Sequence, residues 1–565
     1  MGDQSKDVTS IPDKFKHTAL SNDWKDPLRV ATLSRSKDRD DIINCTIRHK
    51  KLAEVTGYRA ISHTWSGGPQ NLSKKEIRVD RKRFEVDDSV YRLLRRLREA
   101  ENDVVLWIDV LCVRQDSDEE TDEGKREAKD ERSQQEMVLP PKIEFRYGSA
   151  SFDEETLRGV RDGLVNQDDS DKEYRHKLTG EGFDPLMTFE SIVVPMVSTR
   201  EEWHKGTSLT LPGLRRRFPA SEASWRQDLF YSLLGMVKDW GSQKPLKPDY
   251  ALPSAQAIRE AVYHCLLVEG NINFLHGLRG RSLLENYPTS WLADFHVQHS
   301  PTDIVWGEKR RFEIDHRFSV PQNRVLREGS IQLQPQGALT IKAVKIDEIE
   351  EIGDICNPLE HLEQVPAVVQ KWTKKVFGDE NVKWPDEMPQ GDARKDAFWR
   401  TTINNCVPQT TTAPSSPSSP HSYTAPTDQD YKQLKALQGY LSLLSTAGGN
   451  SNGSNPTDQV PKTPTYRVIK DLESLVFKET PGLAYHFLFC PYKRRMITTK
   501  RGRLIGLAPQ AVMAGDEVWI PHGSQVPYVF RPCGSDMVHL VCNAYVLGLM
   551  EGKEVEGETV QVSIV

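Results

Sequence analysis

Residues Val104 to Asp116 read VVLWIDVLCVRQD; the first ten are aliphatic side chains with Trp107 and Cys112 and one carboxylate, Asp109. A carboxylate in such surroundings must be paired or hydrogen-bonded, because isolating it costs several kcal/mol. Placed mid-strand, Asp109 is expected to organise neighbouring loops by accepting backbone N–H groups or an arginine. Upstream, YRAISHTW sets Ser62, His63 and Trp65 close together, and Gln115 closes the apolar run. The charged stretch that follows holds Glu120 and Glu131. Each residue also has an ordinary role open to it: Trp65 and Trp107 as core aromatics, Ser62 as a hydrogen-bonded strand serine, Glu120 and Glu131 as solvated charge. Ser66 beside His63 is weak ground for a nucleophile, since proximity in sequence does not make a triad.

Other chemistries leave no trace. There is no G-x-S-x-G elbow, Walker A loop, H-E-x-x-H helix or G-x-G-x-x-G fingerprint. The eight cysteines form no C-x-x-C pair and read as free thiols, with no disulfide framework and no metal site. A formal net charge of -6 over 565 residues argues against a nucleic-acid partner. No signal-peptide core and no apolar run of about 20 residues is present, so the expectation is a cytoplasmic chain with no membrane span.

The elements that position these residues follow from periodicity. EIRVDRKRFEV alternates around a charged turn, the pattern of a hairpin. In DDSVYRLLRRLREAEN, Val90, Leu93, Leu94 and Leu97 share one helical face, with Asp88 as the expected N-cap and an arginine stripe, Arg92, Arg95, Arg96 and Arg98, on solvated faces. VVLWIDVLCV then reads as a strand buried on both faces. Residues 1–27 are expected to be loose, and 151–290 to be mostly helical. Residues 291–406 mix strands, helices and loops. Residues 407–464, rich in Ser, Thr, Pro, Gly and Asn, are expected to be a disordered insert. One amphipathic stretch, YKQLKALQGYLSLL, stands inside that insert as a transient helix or docking element. Residues 465–565 read as a small antiparallel β-domain.

YRAISHTW and LWIDVLCVRQD, separated by a hairpin and a helix, resemble the fungal heterokaryon-incompatibility (HET) domain. Tyr58, Ala60, Ser62, His63, Trp65, Leu106, Trp107, Ile108, Asp109, Cys112 and Gln115 fall at matching places. DLFYSLLGM, PDY (Pro248–Tyr250) and TSWLADF resemble later blocks of the family, and RRMITTKRGRLIGLAP, GDEVWIPHG and AYVLGLMEGK its β-rich C-terminal region. Ser66 replaces a usual Gly, and Gln227 a usual Arg. After Gln135 the likeness skips a helix, a strand and a Trp-rich segment, so the HET-like domain, residues 28–150, is expected to be shortened there.

The resemblance implies an α/β fold: an open, mainly parallel TIR-like sheet with helical crossovers, a largely helical middle region and the C-terminal antiparallel β-domain. It implies an effector or signalling module of non-self recognition and regulated cell death, partnered by other signalling proteins or by itself. HET domains are similar in outline to TIR domains, some of which cleave NAD+. By that likeness NAD+ is a possible substrate and no cofactor is required. Glu131 or Glu120 would be the carboxylate, with Ser62, Trp65, Asp109 and Gln115 as ligand-binding residues at the C-terminal strand ends. An inactive paralogue or scaffold is the third expectation.

Overall fold

The computed structural model describes residues 13–18, 20, 27–38, 40–51, 54, 57–61, 73–113, 137–147, 150–165, 189–219, 225–276, 289–293, 315, 317–318, 326, 329–358, 361–389, 391–408, 423–448, 483–501, 503–550 and 557–565. The chain divides into two compact units, residues 1–136 and 137–565.

The first unit is built on a sheet that, among the described residues, has six strands. These are β1 (Pro27–Leu33), β2 (Asn44–Lys51), β3 (Arg59–Ile61), β4 (Lys74–Val79), β5 (Lys82–Asp87) and β6 (Val104–Ile108), in the order β3-β6-β1-β2-β4-β5. β4 and β5 form the expected hairpin, with Ile77 opposite Phe84. Its turn residues Asp80 and Arg81 have φ of 48° and 67°, the doubly left-handed geometry that matches strand twist in a two-residue turn. Helix α1 (Asp88–Leu97) follows and buries Val90, Leu94 and Leu97. Its N-cap is Asp87, one residue before the expected Asp88, which sits in the first turn instead.

The expectation of a mainly parallel sheet is corrected. β1–β2, β1–β6 and β4–β5 are antiparallel, and only β2–β4 and β3–β6 are parallel. The physical reason is connection length. A parallel crossover takes a dozen or more residues, and neither the β1–β2 link nor the two-residue hairpin turn reaches that. The strand after α1 is also shorter than expected. It ends at Ile108, and Asp109 opens a one-turn helix, α2 (Asp109–Cys112). Within β6, Val104, Leu106 and Ile108 are buried while Val105 and Trp107 are half-buried, so one face is covered more deeply than the other. The arginine stripe does more than face water: Arg98 donates to the Asp38 and Asp41 carbonyls, both at 3.0 Å, and so holds the loop before β2.

Residues 13–18, inside the stretch expected to be loose, pack on this unit. Phe15 N donates to the Arg83 carbonyl at 2.9 Å, Arg83 N donates to Asp13 at 3.0 Å, and the Phe15 ring lies edge-on to Phe84 within the core. They pair with the outer edge of β5, where an open strand would otherwise offer unpaired backbone groups.

The second unit opens with a hairpin, β7 (Glu144–Tyr147) and β8 (Ala150–Asp153), across the expected boundary at residue 150. Helices α3 (Glu154–Val165), α4 (Val194–His204), α5 (Leu211–Arg217), α6 (Asp228–Tyr231) and α7 (Ser254–Glu269) follow. α7 ends where Gly270 takes a left-handed φ of 63°, the conformation glycine adopts at helix ends. Arg200 of α4 is buried; it pairs with Glu154 at 2.8 Å and donates to the carbonyls of Met137, Val138, Pro140 and Pro141, fixing the chain before β7.

Next come β9 (Ile331–Leu333), β10 (Leu339–Ile352), α8 (Val365–Phe377), α9 (Ala393–Thr402), β11 (Val407–Pro408), β12 (Tyr423–Thr424), α10 (Asp428–Gly448) and α11 (Leu483–Phe489). The C-terminal strands are β13 (Arg494–Thr499), β14 (Ile505–Pro509), β15 (Glu517–Pro521), β16 (Tyr528–Pro532), β17 (Met537–Asn543), β18 (Tyr545–Val546) and β19 (Thr559–Ile564). β10 pairs with both β19 and β15, and the order β15-β16-β17-β19-β10 therefore closes on itself. The same strand also carries β9 and, at its far end, β13. The sheet is antiparallel as expected except for β17–β19, which pair in parallel.

The stretch expected to be a disordered insert, 407–464, contains α10. Tyr431, Leu434, Leu437 and Leu441 form its buried stripe, in contact with α8 and α11. The Ser/Thr/Pro-rich flanks dominate the composition, but a four-residue apolar stripe on one helical face is enough to seat a helix in an existing core.

Candidate functional site

β3 and β6 lie side by side and parallel, with Arg59 opposite Leu106, Ala60 opposite Trp107 and Ile61 opposite Ile108. Both HET-like motifs therefore deliver their strands to the same end of one sheet. In open α/β sheets this end, beyond the C-terminal ends of the strands, is where ligands bind.

Asp109 stands at that end, immediately after β6 and not mid-strand as expected. Its half-buried carboxylate accepts the Val110 N–H at 2.7 Å, and its carbonyl accepts the Val113 N–H at 2.8 Å. The backbone-accepting role expected for this carboxylate is thus present, with the turn of α2 as the element it organises. Ser62, Trp65, Gln115, Glu120 and Glu131 lie outside the described residues.

Cys112 ends α2. Burial pushes its thiol up to about 11, against backbone hydrogen bonds at Ile108 and Ala31 and the charge of Arg29, which pull it down. Burial likewise pushes Cys45 up to about 12. Burial thus favours the neutral thiol at both positions.

Arg29 was not singled out from the sequence. It sits on β1, 2% exposed, and donates to the Cys112 carbonyl at 3.3 Å and the Thr18 carbonyl at 2.8 Å. A lone arginine in PLRVATL looks like a surface charge, and only the fold shows that it reaches the end of α2.

The family-like blocks of the second unit meet each other. The Tyr250 hydroxyl donates to Asp228 at 2.7 Å, and the Tyr231 and Tyr250 rings are edge-on at 5.5 Å. Gln227, at the position of a usual Arg, accepts from Ser254 at 2.5 Å. Trp291 of the TSWLADF block is fully buried, with its indole N–H on the Gly337 carbonyl at 3.0 Å. These are buried or partly buried structural contacts. His486 Nε2 lies 3.4 Å from Cys490 Sγ, 3.7 Å from Cys406 Sγ and 3.0 Å from the Ile403 carbonyl, another closed cluster. Among the described residues no group of three or more His, Cys, Asp or Glu side chains is placed to hold a metal ion. Among them, too, no helix is long and apolar enough to cross a membrane.

An α/β unit with paired motif strands and a second unit with a closed strand ring define a two-part architecture, and both parts have a family match. Residues 58–130 match the family model described as heterokaryon incompatibility protein (HET), and residues 392–561 match the Het-6 beta-barrel domain. The chain resembles a heterokaryon incompatibility protein in both regions. No curated protein and no solved structure matches it. β1 and β2, central in the first sheet, precede the HET match, and β9 and β10 precede the barrel match.

Proposed function

We propose that this heterokaryon incompatibility-type protein is an effector or signalling module of fungal non-self recognition and regulated cell death, acting through the first unit. The supporting observation is the parallel β3–β6 pair, whose C-terminal ends lie together with Asp109 beside them. Its partners are other signalling proteins or further copies of itself. Induced expression of the full chain in fungal cells tests this. Loss of viability that Asp109→Asn abolishes supports the proposal, and unchanged viability on expression of the unaltered chain removes it.

A second reading, favoured by a carboxylate held at the strand ends, is a TIR-like NAD+ glycohydrolase. The nicotinamide–ribose bond would break with its electron pair leaving on nicotinamide. Water would then add to the oxocarbenium-like ribose carbon and lose a proton to a carboxylate, Glu131 or Glu120. Trp65 would offer a surface to the base, and Ser62 and Gln115 polar contacts. Incubation of purified protein with NAD+ should release nicotinamide, and Glu131→Ala or Glu120→Ala should abolish it. No release above blank leaves the reading of a catalytically inactive scaffold.

A further inference from the structure

The segment at residues 13–18 has two attachments. At one, Lys14 bridges Arg83 and Phe15 inserts into the core beside Phe84. At the other, Thr18 meets β2 and β1. Its hydroxyl lies 3.2 Å from His49 Nε2, and its carbonyl accepts from Arg29 at 2.8 Å. The same guanidinium donates to the Cys112 carbonyl at 3.3 Å. Cys112 is the last residue of α2, where helix carbonyls lack intrahelical partners. One buried cation therefore joins the N-terminal segment to the turn that carries Asp109.

We propose that residues 13–18 are a strap whose seating orders the Asp109–Cys112 turn through Arg29, so that lifting the strap loosens the strand ends of the candidate site. The mechanism is in the guanidinium. Its planar fork can serve two carbonyls in different directions, which an ammonium on a flexible stem does less well. When the strap lifts, a buried donor loses an acceptor. The Thr18 bond helps to fix the direction of the guanidinium, so its loss leaves the Cys112 carbonyl less firmly held. Arg29 is a positioning residue in this arrangement, acting through the turn. The coupling stands whether or not the site cleaves NAD+. It makes the N-terminal segment the place where a modification or a bound protein would be felt at the site.

Amide hydrogen exchange on the full chain tests it. In Phe15→Ala, exchange should rise in residues 13–18 and, by about tenfold, at the amides of Val110 and Val113, while α1 stays protected. Arg29→Lys should raise exchange at the same two amides. A strap that exchanges fast while Val110 and Val113 keep their original protection overturns the proposal, as does an Arg29→Lys protein unchanged at both. If Phe15→Ala also strips protection from α1, the unit has unfolded. Phe15→Leu, which keeps an apolar plug but loses the edge-on ring contact, then takes its place with the same two outcomes deciding.

Discussion

The first unit's sheet is open and the second unit's ring is closed, and the two use polar side chains differently. In the ring, buried polar groups are consumed in holding the structure. Asp516 takes two hydrogen bonds from Arg531, at 2.7 and 2.9 Å, and the Asn543 amide donates to Asp315 at 2.8 Å. In the open sheet, strands end at a half-buried carboxylate, and one edge is covered by a chain segment. Closure removes the edges, and here the ring's polar groups are engaged with one another, so it suits a supporting element. An open sheet keeps a place for a ligand but must guard its edges. The candidate site lies in the smaller unit.

The largest test of this contrast is Trp291→Ala. The indole is fully buried and bonded to the Gly337 carbonyl, so its loss should destabilise the second unit by about 3–5 kcal/mol in urea unfolding. A loss under about 1 kcal/mol would mean that this unit repacks freely and that its closed ring confers no rigidity.

Acid probes the second unit from another side. Burial works against the Glu154 carboxylate, but hydrogen bonds from Arg200 and Arg158 outweigh it and hold its pKa below the ordinary 4.5. A depressed carboxylate pKa contributes stability that is complete above the unfolded value and is lost as pH falls through the folded one. Glu154→Gln should therefore lower the melting temperature at neutral pH, with the difference from the parent protein starting to close as pH falls below the ordinary 4.5 and vanishing as it passes through the lowered folded value. A difference that is constant with pH would assign the effect to packing, not charge.

The finest test is kinetic. Cys533 is exposed and the other seven cysteines are buried. A thiol reagent should label Cys533 at once. If the open sheet is the less protected unit, Cys45 and Cys112 should follow before Cys265, Cys356, Cys406, Cys490 and Cys542. The reverse order would invert the comparison.

Much of the first unit was legible in the sequence, and for local reasons. The β4–β5 hairpin is written in alternation around Asp80 and Arg81, and α1 in the spacing of Val90, Leu94 and Leu97. The two motifs marked out the strands β3 and β6, and the fold shows that they pair in parallel. Strand direction elsewhere was less legible, because it depends on connection lengths whose endpoints the sequence leaves vague. The amphipathic stretch that becomes α10 was readable, but its flanks hid that it is a seated helix and not a transient one. A stripe of Tyr431, Leu434, Leu437 and Leu441 has little weight in a composition averaged over 407–464. Arg29 was invisible for a different reason: its acceptors are backbone carbonyls distant in sequence, and no side-chain pattern announces them. Of the candidate site itself, the chain order and the carboxylate were readable. The helical turn that begins at Asp109 was not, since DVLC is as apolar as the strand before it.

β10 has one further consequence. Leu339–Val344 lie against β19, Ala343–Glu348 against β15 and Ile349–Ile352 against β13, with irregularities after Lys345 and Ile349. A single added or deleted residue near position 346 would rotate one half of this strand relative to the other, turning side chains inside out against two partners at once. Length variation in this protein is therefore tolerable in its loops but not within these fourteen positions, which act as the ruler against which the surrounding strands are measured.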